Sequence, residues 1–190
     1  MQRSLVGSEM CIRDRHKEEF NMSEPINLST LGVRVAWATE TEVGKMPTTG
    51  WEYLPSITST PEMNPSPETI DVTDLSQTEY KQYVQGLKDL GGAIQFGANL
   101  TQLLIDIWDG KVIQAFQTAK GAGKRLWLCI IHPDLTKAMA FAFEPSSQGL
   151  PAIEVNGALT TNVNVTPQNQ PQWVAKPTSI AEPTAPADSE

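Results

Sequence analysis

The sequence predicts an α+β fold that is mainly β: a β-sandwich or half-barrel with one flanking α-helix and a long arm. Three observations support this fold class. Short runs that alternate apolar and polar residues recur along the chain, as in strands with one buried face. One stretch, at about 99–119, carries apolar residues at helical spacing. Another stretch, at about 56–92, is acidic and only half patterned, and we predict it to be a hairpin or loop arm.

The first predicted strands precede the arm. Gly32–Thr39 alternates two valines and a tryptophan with arginine and alanine, which predicts a strand with one buried face. Glu42–Gly50 contains two glycines and a proline and is predicted to be a loop. Trp51–Thr60 is rich in β-forming residues again, and its Pro55 indicates an edge position or a bulge.

The predicted arm contains "PSPETIDVTDLSQTEYKQYVQGLKDLGG", residues 65–92. Its first part alternates, with Ile70 and Val72 on one side, which favours a hairpin. Farther along, Tyr80 to Leu87 shows helical spacing that Gly86 interrupts, so we predict a loop with one helical turn there.

A single helix is predicted at about 99–119, with Asn99 as its N-cap. Gly110 would cost about 1 kcal/mol relative to alanine in a helix interior, so an interruption of the helix is predicted there. The residues predicted to face the core share the i, i+3, i+4 spacing. They are Leu100, Leu103, Leu104, Ile107, Trp108 and Phe116.

The second half of the chain is predicted to be β structure followed by a tail. Leu126–Ile131 and Ala138–Phe143 are nearly continuous apolar runs, which predicts a hairpin that is buried on both faces or has one face against a partner. Ala152–Thr166 is expected to form one or two further strands, with a turn or bulge at Asn156. The residues from 167 to 190 are rich in Pro, Thr, Ala and Gln and are predicted to be a tail that is disordered or is ordered by a partner.

The N-terminal residues 1–21 are expected to lie outside the folded domain. "SLVGSEMCIRDR", residues 4–15, resembles the translation of a transposase adapter used in sequencing-library preparation. We therefore expect the natural chain to start at Met22, and a natural disordered extension is the alternative. The predicted organisation is an extension over 1–21, one domain over 22–166 and a tail over 167–190.

Composition excludes several classes of function. The formal net charge of −8 argues against tight binding to a nucleic-acid backbone, which needs clustered Lys and Arg. A negative surface is compatible with DNA that passes without adsorbing, since like charges repel. Because no apolar run approaches the roughly 20 residues of a membrane helix, no membrane partner is expected.

The sequence offers no set of residues for catalysis, a metal or a cofactor. Beyond the N-terminal extension, only Cys129 and His132 represent their residue types, and Cys129 lies inside an apolar run. "AKGAGKRLW" lacks the first glycine and the Ser or Thr of a phosphate-binding loop. Asp106 and Asp109 lie on the polar side of the predicted helix, where a solvated or interface role is favoured over acid–base chemistry. We expect no enzyme and no cofactor.

Several segments together resemble the tail tube (major tail) proteins of long, non-contractile bacteriophage tails. The Pro-rich turn and "ETIDVTDL" precede a Tyr-containing "GLKDLGG" loop, and "NLTQLLIDIW" matches the single helix in position. The hairpin "KRLWLCIIHPDLTKAMAFAF" and the following "GLPAIEV" resemble the family's closing segments. The likeness covers nearly the whole chain from Gly32 to Pro177. It departs from the family at His132 and in the tail after Pro177.

The resemblance implies a structural virion protein that self-assembles into stacked hexameric rings, forming the conduit for DNA delivery. It implies other copies of the chain, a tape-measure protein and tail completion proteins as partners, with DNA only in transient passage and assembly in the host cytoplasm. The arm, with strands of about ten residues and a reach of roughly 33 Å, would lie on a neighbouring subunit and become ordered only on assembly. The arm residues expected at that contact are Met63, Ile70, Val72, Leu75, Tyr80, Tyr83, Val84 and Leu87.

The alternative function is a carbohydrate-binding or adhesin-like β-sandwich module of the virion. Such a module would present tryptophan and tyrosine side chains as a platform for sugar rings. The five tryptophans at first suggest this, but four of them fall on patterned faces that predict core or interface positions.

Overall fold

The computed structural model describes residues 29–64, 66–153 and 155–184. These residues form a mainly β unit with one interrupted helix, and the main sheet curls into a half-barrel, which confirms the predicted fold class. The predicted extension over 1–21 and the predicted start at Met22 lie outside the described residues.

The described residues contain eleven strands. They are β1 Arg34–Thr39, β2 Trp51–Tyr53, β3 Ile57–Ser59, β4 Pro67–Asp71, β5 Tyr83–Lys88, β6 Ile94–Asn99, β7 Leu126–Ile131, β8 Lys137–Pro145, β9 Thr160–Pro167, β10 Gln172–Ala175 and β11 Ile180–Ala181.

Nine of these strands form one sheet in the order β11-β2-β1-β7-β8-β9-β6-β3, with β10 also paired to β8. The pairs are antiparallel except that of β11 with β2, which is parallel. Strand β8 is long enough to pair with β10 near its start, at Met139, and with β9 near its end, at Phe143. The predicted hairpin of β7 and β8 is confirmed, and both faces of its strands are buried.

The helix consists of α1 Gln102–Ile107, a π-helical turn Trp108–Val112 and α2 Ile113–Gly121. The predicted interruption at Gly110 takes the form of this π-helical turn. The prediction of Asn99 as the N-cap is wrong, because Asn99 is the last residue of β6. Thr101 caps the helix instead, since its hydroxyl accepts a hydrogen bond from the Leu104 amide at 3.2 Å.

The helix packs on one face of the sheet and forms the first core with it. Leu104, Ile107 and Trp108 are completely buried, as predicted. Leu103 and Phe116 are partly buried and pack against the same core. Leu100 is half-buried but precedes the helix, so its assignment to a helical face is wrong.

Trp108 also connects the helix to the sheet. Its indole Nε1 donates a hydrogen bond to the Ser146 carbonyl at 2.8 Å, and its ring stacks on Phe143 with centroids 6.4 Å apart. This indole group is therefore buried without an unmet hydrogen-bonding requirement.

A second core lies on the opposite face of the same sheet, and the sequence did not predict it. Strand β1 was expected to bury one face, but Ala36 and Ala38 are buried as fully as Val35. The buried residues of this second core are Ala36, Ala38, Trp51, Trp127, Cys129, Ile131, Ala138, Ala140 and Ala142. In these strands the large residues face one core and the alanines face the other, so both faces are buried. The small alanine side chains allow the covering segments to approach the sheet closely.

The C-terminal segment helps to cover the second core, so the predicted disorder from Pro167 is wrong for residues 167–184. Val174 in β10 and Ile180 in β11 pack against that core, together with Met46 and Tyr53. The domain boundary predicted at 166 therefore falls inside one folded unit.

Polar contacts also hold this C-terminal segment. Arg34 donates two hydrogen bonds to the Glu182 carboxylate, at 2.9 and 2.6 Å, and stacks over the Tyr53 ring. Lys176 Nζ donates to the Pro133 carbonyl at 2.7 Å. The C-terminal segment has few large apolar residues, and it is held against the sheet by backbone pairing and by these polar contacts. Its composition does not reveal either of them.

Candidate assembly surface

Residues 66–90 form a separate hairpin, called the hairpin arm below, whose strands β4 and β5 pair only with each other. Ile70 lies opposite Val84, and Asp71 lies opposite Tyr83. The predicted loop with a helical turn after Tyr80 is wrong, because Tyr83–Lys88 is strand β5. The predicted range of about 56–92 is also too wide, since Ile57–Ser59 is β3 of the main sheet.

Gly86 permits the close pairing of β5 with β4. A Cβ at this position would come within 3.2 Å of the Glu68 carbonyl oxygen on the partner strand. Glycine thus allows the two backbones to approach closely. Strand β5 has six residues, or about 20 Å at 3.3 Å per residue. The paired part of the arm is therefore shorter than the roughly 33 Å expected.

Local hydrogen bonds order the tip of the arm within a single chain. Asp71 Oδ1 accepts from the Thr73 amide at 3.0 Å, and Asp74 Oδ1 accepts from the Ser76 amide at 2.9 Å. The hydrogen bonds from Thr73 lower the pKa of Asp71, and the bond from the Ser76 amide lowers the pKa of Asp74. The structure thus differs from the expectation of an arm that is ordered only on assembly, because short polar side chains close its turns.

The hairpin arm exposes seven of the eight residues predicted for an inter-subunit contact. Leu75 is fully exposed, Tyr80 is 81% exposed and Leu87 is 87% exposed. The others are exposed over about half of their surface: Ile70, Val72, Tyr83 and Val84. Met63 differs, since it precedes the arm, is partly buried and packs against the first core.

A second exposed apolar surface lies in residues 146–159, the connection from β8 to β9, called the 146–159 loop below. Leu150 is 77% exposed, Ile153 is 67% exposed and Val155 is 92% exposed. The strand predicted from Ala152 begins only at Thr160. The predicted turn at Asn156 is confirmed by its positive φ of 62°. The sequence did not predict this surface, because its apolar residues resemble those of a buried strand.

Two adjoining clefts separate the base of the hairpin arm from the body. One has a volume of about 610 Å³ between Leu87 and residues 166–171, and the other has a volume of about 510 Å³. The second cleft is lined by Met63, Met139 and Trp173. Lys88 lies where the two clefts meet. The arm and the body therefore flank two open clefts whose lining mixes apolar residues with polar ones.

The residues weighed for chemistry are occupied by structural contacts. Cys129 is buried, and desolvation raises the pKa of its thiol to about 12, so it is not a thiolate nucleophile. His132 Nδ1 accepts from the Asp134 amide, and its Nε2 lies 2.5 Å from the Ser29 carbonyl. Asp106 accepts from Gln102, and Asp109 accepts from the Gln148 amide. In the part of the chain that the structure describes, no group of three or more His, Cys, Asp or Glu could hold a metal ion.

Four of the five tryptophans are buried, and only Trp173 is exposed, by 56%. A sugar-binding platform needs several exposed aromatic faces, and the sequence expectation that four tryptophans are structural is confirmed.

Glu40 is a buried carboxylate that the sequence analysis missed. Its side chain accepts hydrogen bonds from Trp127 Nε1 at 2.8 Å, Arg125 Nε at 3.0 Å, and the amides of Gly44 and Arg125 at 3.1 Å. Burial would raise the pKa of Glu40, but these hydrogen bonds and the Arg125 charge lower it on balance. Only its place, at the end of a strand and before a Gly-containing loop, could have suggested a structural role.

Neither a scan of protein-family models nor a search of curated proteins finds a match to this chain. Among the described residues, no helix has the length and apolar character needed to cross a membrane.

Proposed function

We propose that this chain is a structural subunit that self-assembles into a tube, and that the tube is the tail tube of a long, non-contractile bacteriophage tail. The observation that carries the proposal is the hairpin arm: an ordered projection with exposed apolar side chains, attached to a body that already has two cores. Such an arm contributes nothing to the core of its own subunit, and large exposed apolar patches are typical of protein–protein contacts.

The energy available from one arm favours many copies over a single pair. Fully burying an exposed large apolar side chain stabilises by about 1.5–3 kcal/mol, so Leu75, Tyr80 and Leu87 together supply on the order of 4–9 kcal/mol. Association of two proteins costs about 4–15 kcal/mol in lost freedom. One arm contact is therefore marginal alone, and a subunit held by several neighbours in rings is stable.

The ends of the main sheet are further candidates for contacts between subunits. Strands β3 and β11 are its outermost strands, with three and two residues. Their outer backbone groups have no strand partner within the described chain. Neighbouring subunits in a ring would extend the sheet at these edges, as expected for a half-barrel subunit of a tube.

The charge and the resemblance supply the remaining details of the proposal. A chain with net charge −8 is suited to a conduit through which DNA moves without adsorbing. The resemblance to tail tube proteins supplies the hexameric rings, the tape-measure and completion proteins as partners, the virion location and the absence of catalysis. The adhesin alternative is less favoured, because four of five tryptophans are buried.

Electron microscopy with arm variants tests the proposal. We expect the purified chain to form rings or tubes in negative stain as its concentration rises. The double variant Leu75→Asp with Tyr80→Asp is expected to remain monomeric, because both side chains are exposed and their loss affects association and not folding. The matched control is Leu31→Asp with Val43→Asp, which changes two exposed apolar residues outside the arm.

Circular dichroism melts would establish that all of these proteins are folded. The proposal fails if the unaltered chain stays a monomer at every concentration, or if the arm variant assembles as well as the control.

A further inference from the structure

We propose that the 146–159 loop of one copy binds the hairpin arm and the clefts at its base on a second copy, so that each contact joins opposite ends of two identical subunits. This inference rests on the proposed self-assembly and specifies which two surfaces meet.

The two surfaces lie at opposite ends of the same strand. The hairpin arm precedes Ile94, the first residue of β6, and the 146–159 loop precedes Thr160, which pairs with Asn99 at the far end of β6. Strand β6 has six residues and therefore separates the two ends by about 20 Å. Because the arm starts at one end of β6 and the loop lies at the other, a second copy placed end to end brings its loop beside the arm.

Each surface offers exposed apolar side chains to the other. The arm and the body flank two open clefts of about 610 and 510 Å³. The 146–159 loop presents Val155, which is 92% exposed, beside the turn at Asn156. The clefts present Leu87, Met139 and Trp173 among their lining residues. Val155 can therefore bury its side chain against apolar residues of the clefts.

The exposed apolar area reaches that of a standard interface at the upper end of its range. A side chain worth 1.5–3 kcal/mol at 25 cal/mol per Å² corresponds to roughly 60–120 Å² of apolar surface. Weighted by their exposures, the apolar side chains of one arm and one loop present on the order of 450–900 Å². A standard interface of about 1,600 Å², slightly more than half of it apolar, contains about 900 Å² of apolar surface.

Charge also favours this loop as the receiving surface. The hairpin arm carries five carboxylates and two lysines, so the acidic surface of a second copy repels it in most places. The 146–159 loop is different, because Glu154 is the only ionisable residue between Glu144 and Lys176. With Asp109, whose carboxylate accepts from the Gln148 amide, this loop therefore has two carboxylates, fewer than the arm itself carries.

A contact between two different surfaces is heterologous and repeats without ending in a dimer. Copies joined in this way along the tube axis leave an arm-bearing end and a loop-bearing end, so a tube built on this contact is polar.

Disulfide cross-linking tests the pairing. Leu87→Cys and Val155→Cys are introduced together in the full chain with Cys11→Ser, and Cys129 is kept because it is buried. Mild oxidation is expected to give a ladder of covalent oligomers beyond the dimer on a non-reducing gel, because each copy links forward through one cysteine and backward through the other. Each single-cysteine variant is expected to give at most a dimer. Val43→Cys with Val155→Cys is the matched control.

The outcomes separate this inference from the proposed function. Tubes without a ladder beyond the dimer would overturn the inference and leave the proposed function standing, whereas a chain that never assembles would overturn both. Val155→Asp provides a measurement independent of cysteine chemistry. It is expected to remain folded and to lose assembly, whereas Val43→Asp retains it, and normal tubes from Val155→Asp would contradict the pairing.

Discussion

Replacing Glu40 by glutamine tests a buried carboxylate that accepts several hydrogen bonds. The side chain is completely inaccessible and accepts from Trp127, Arg125 and Gly44. Glutamine has nearly the same shape but no charge, and its amide nitrogen cannot accept a hydrogen bond. At least one donor that now faces a carboxylate oxygen would then face another donor.

The expected loss follows from the burial of the two partners. Removing one partner of a buried ion pair costs about 3–5 kcal/mol, and each hydrogen bond to a charged group contributes about 1.5–3 kcal/mol. The Arg125 side chain is 34% exposed, so water screens part of the interaction. We therefore expect Glu40→Gln to lower the free energy of unfolding by about 3 kcal/mol at pH 7. Glu42→Gln, which removes an exposed ion pair with Lys45, is the control and is expected to cost at most about 0.5 kcal/mol.

The pH dependence supplies an independent check. Because the pKa of Glu40 is lowered in the folded protein, its stabilisation is fully present above the unfolded-state pKa and is lost as the pH falls through the folded-state pKa. Urea unfolding followed by tryptophan fluorescence should therefore show a gap between the unaltered chain and Glu40→Gln at pH 7 that narrows below about pH 4. A gap under about 1 kcal/mol at pH 7, or one that does not narrow in acid, would refute the reasoning.

One substitution and one truncation examine the cores, each by urea unfolding. Leu104→Asp places an unpaired carboxylate at a completely buried position of the first core and is expected to cost several kcal/mol and to abolish cooperative unfolding. Gln114→Asp, on the exposed side of α2, is the control. A Leu104→Asp protein that still unfolds cooperatively would contradict the helix packing. A chain ending at Lys176 lacks β11 and the Arg34–Glu182 ion pair, and its free energy of unfolding is expected to fall by about 1–3 kcal/mol through partial exposure of the second core. A chain ending at Thr184 keeps those contacts and is the control. Equal stability of the two chains would show that the C-terminal segment does not cover the core.

Much of the candidate surface was predictable because an exposed apolar pattern is visible in the residues themselves. Seven of the eight predicted arm residues are exposed on the hairpin arm. Met63 was misplaced because it follows β3 of the main sheet closely and packs against the first core, so it belongs to the body and not to the arm. The 146–159 loop was missed for a related reason, since an apolar run can be a buried strand or an exposed loop, and only its neighbours decide between them.

By itself, the sequence determined the periodic features of this protein: the alternating strands, the β7–β8 hairpin, one amphipathic helix interrupted at Gly110, and an acidic arm without a core of its own. These follow from local backbone geometry and side-chain spacing, which a linear pattern records. Only the tertiary structure decided that both faces of β1 are buried, that Glu40 collects donors from residues up to 87 positions away, and that residues 172–181 complete the sheet. Those outcomes depend on contacts between distant segments, whose energy is gained only when the chain has folded.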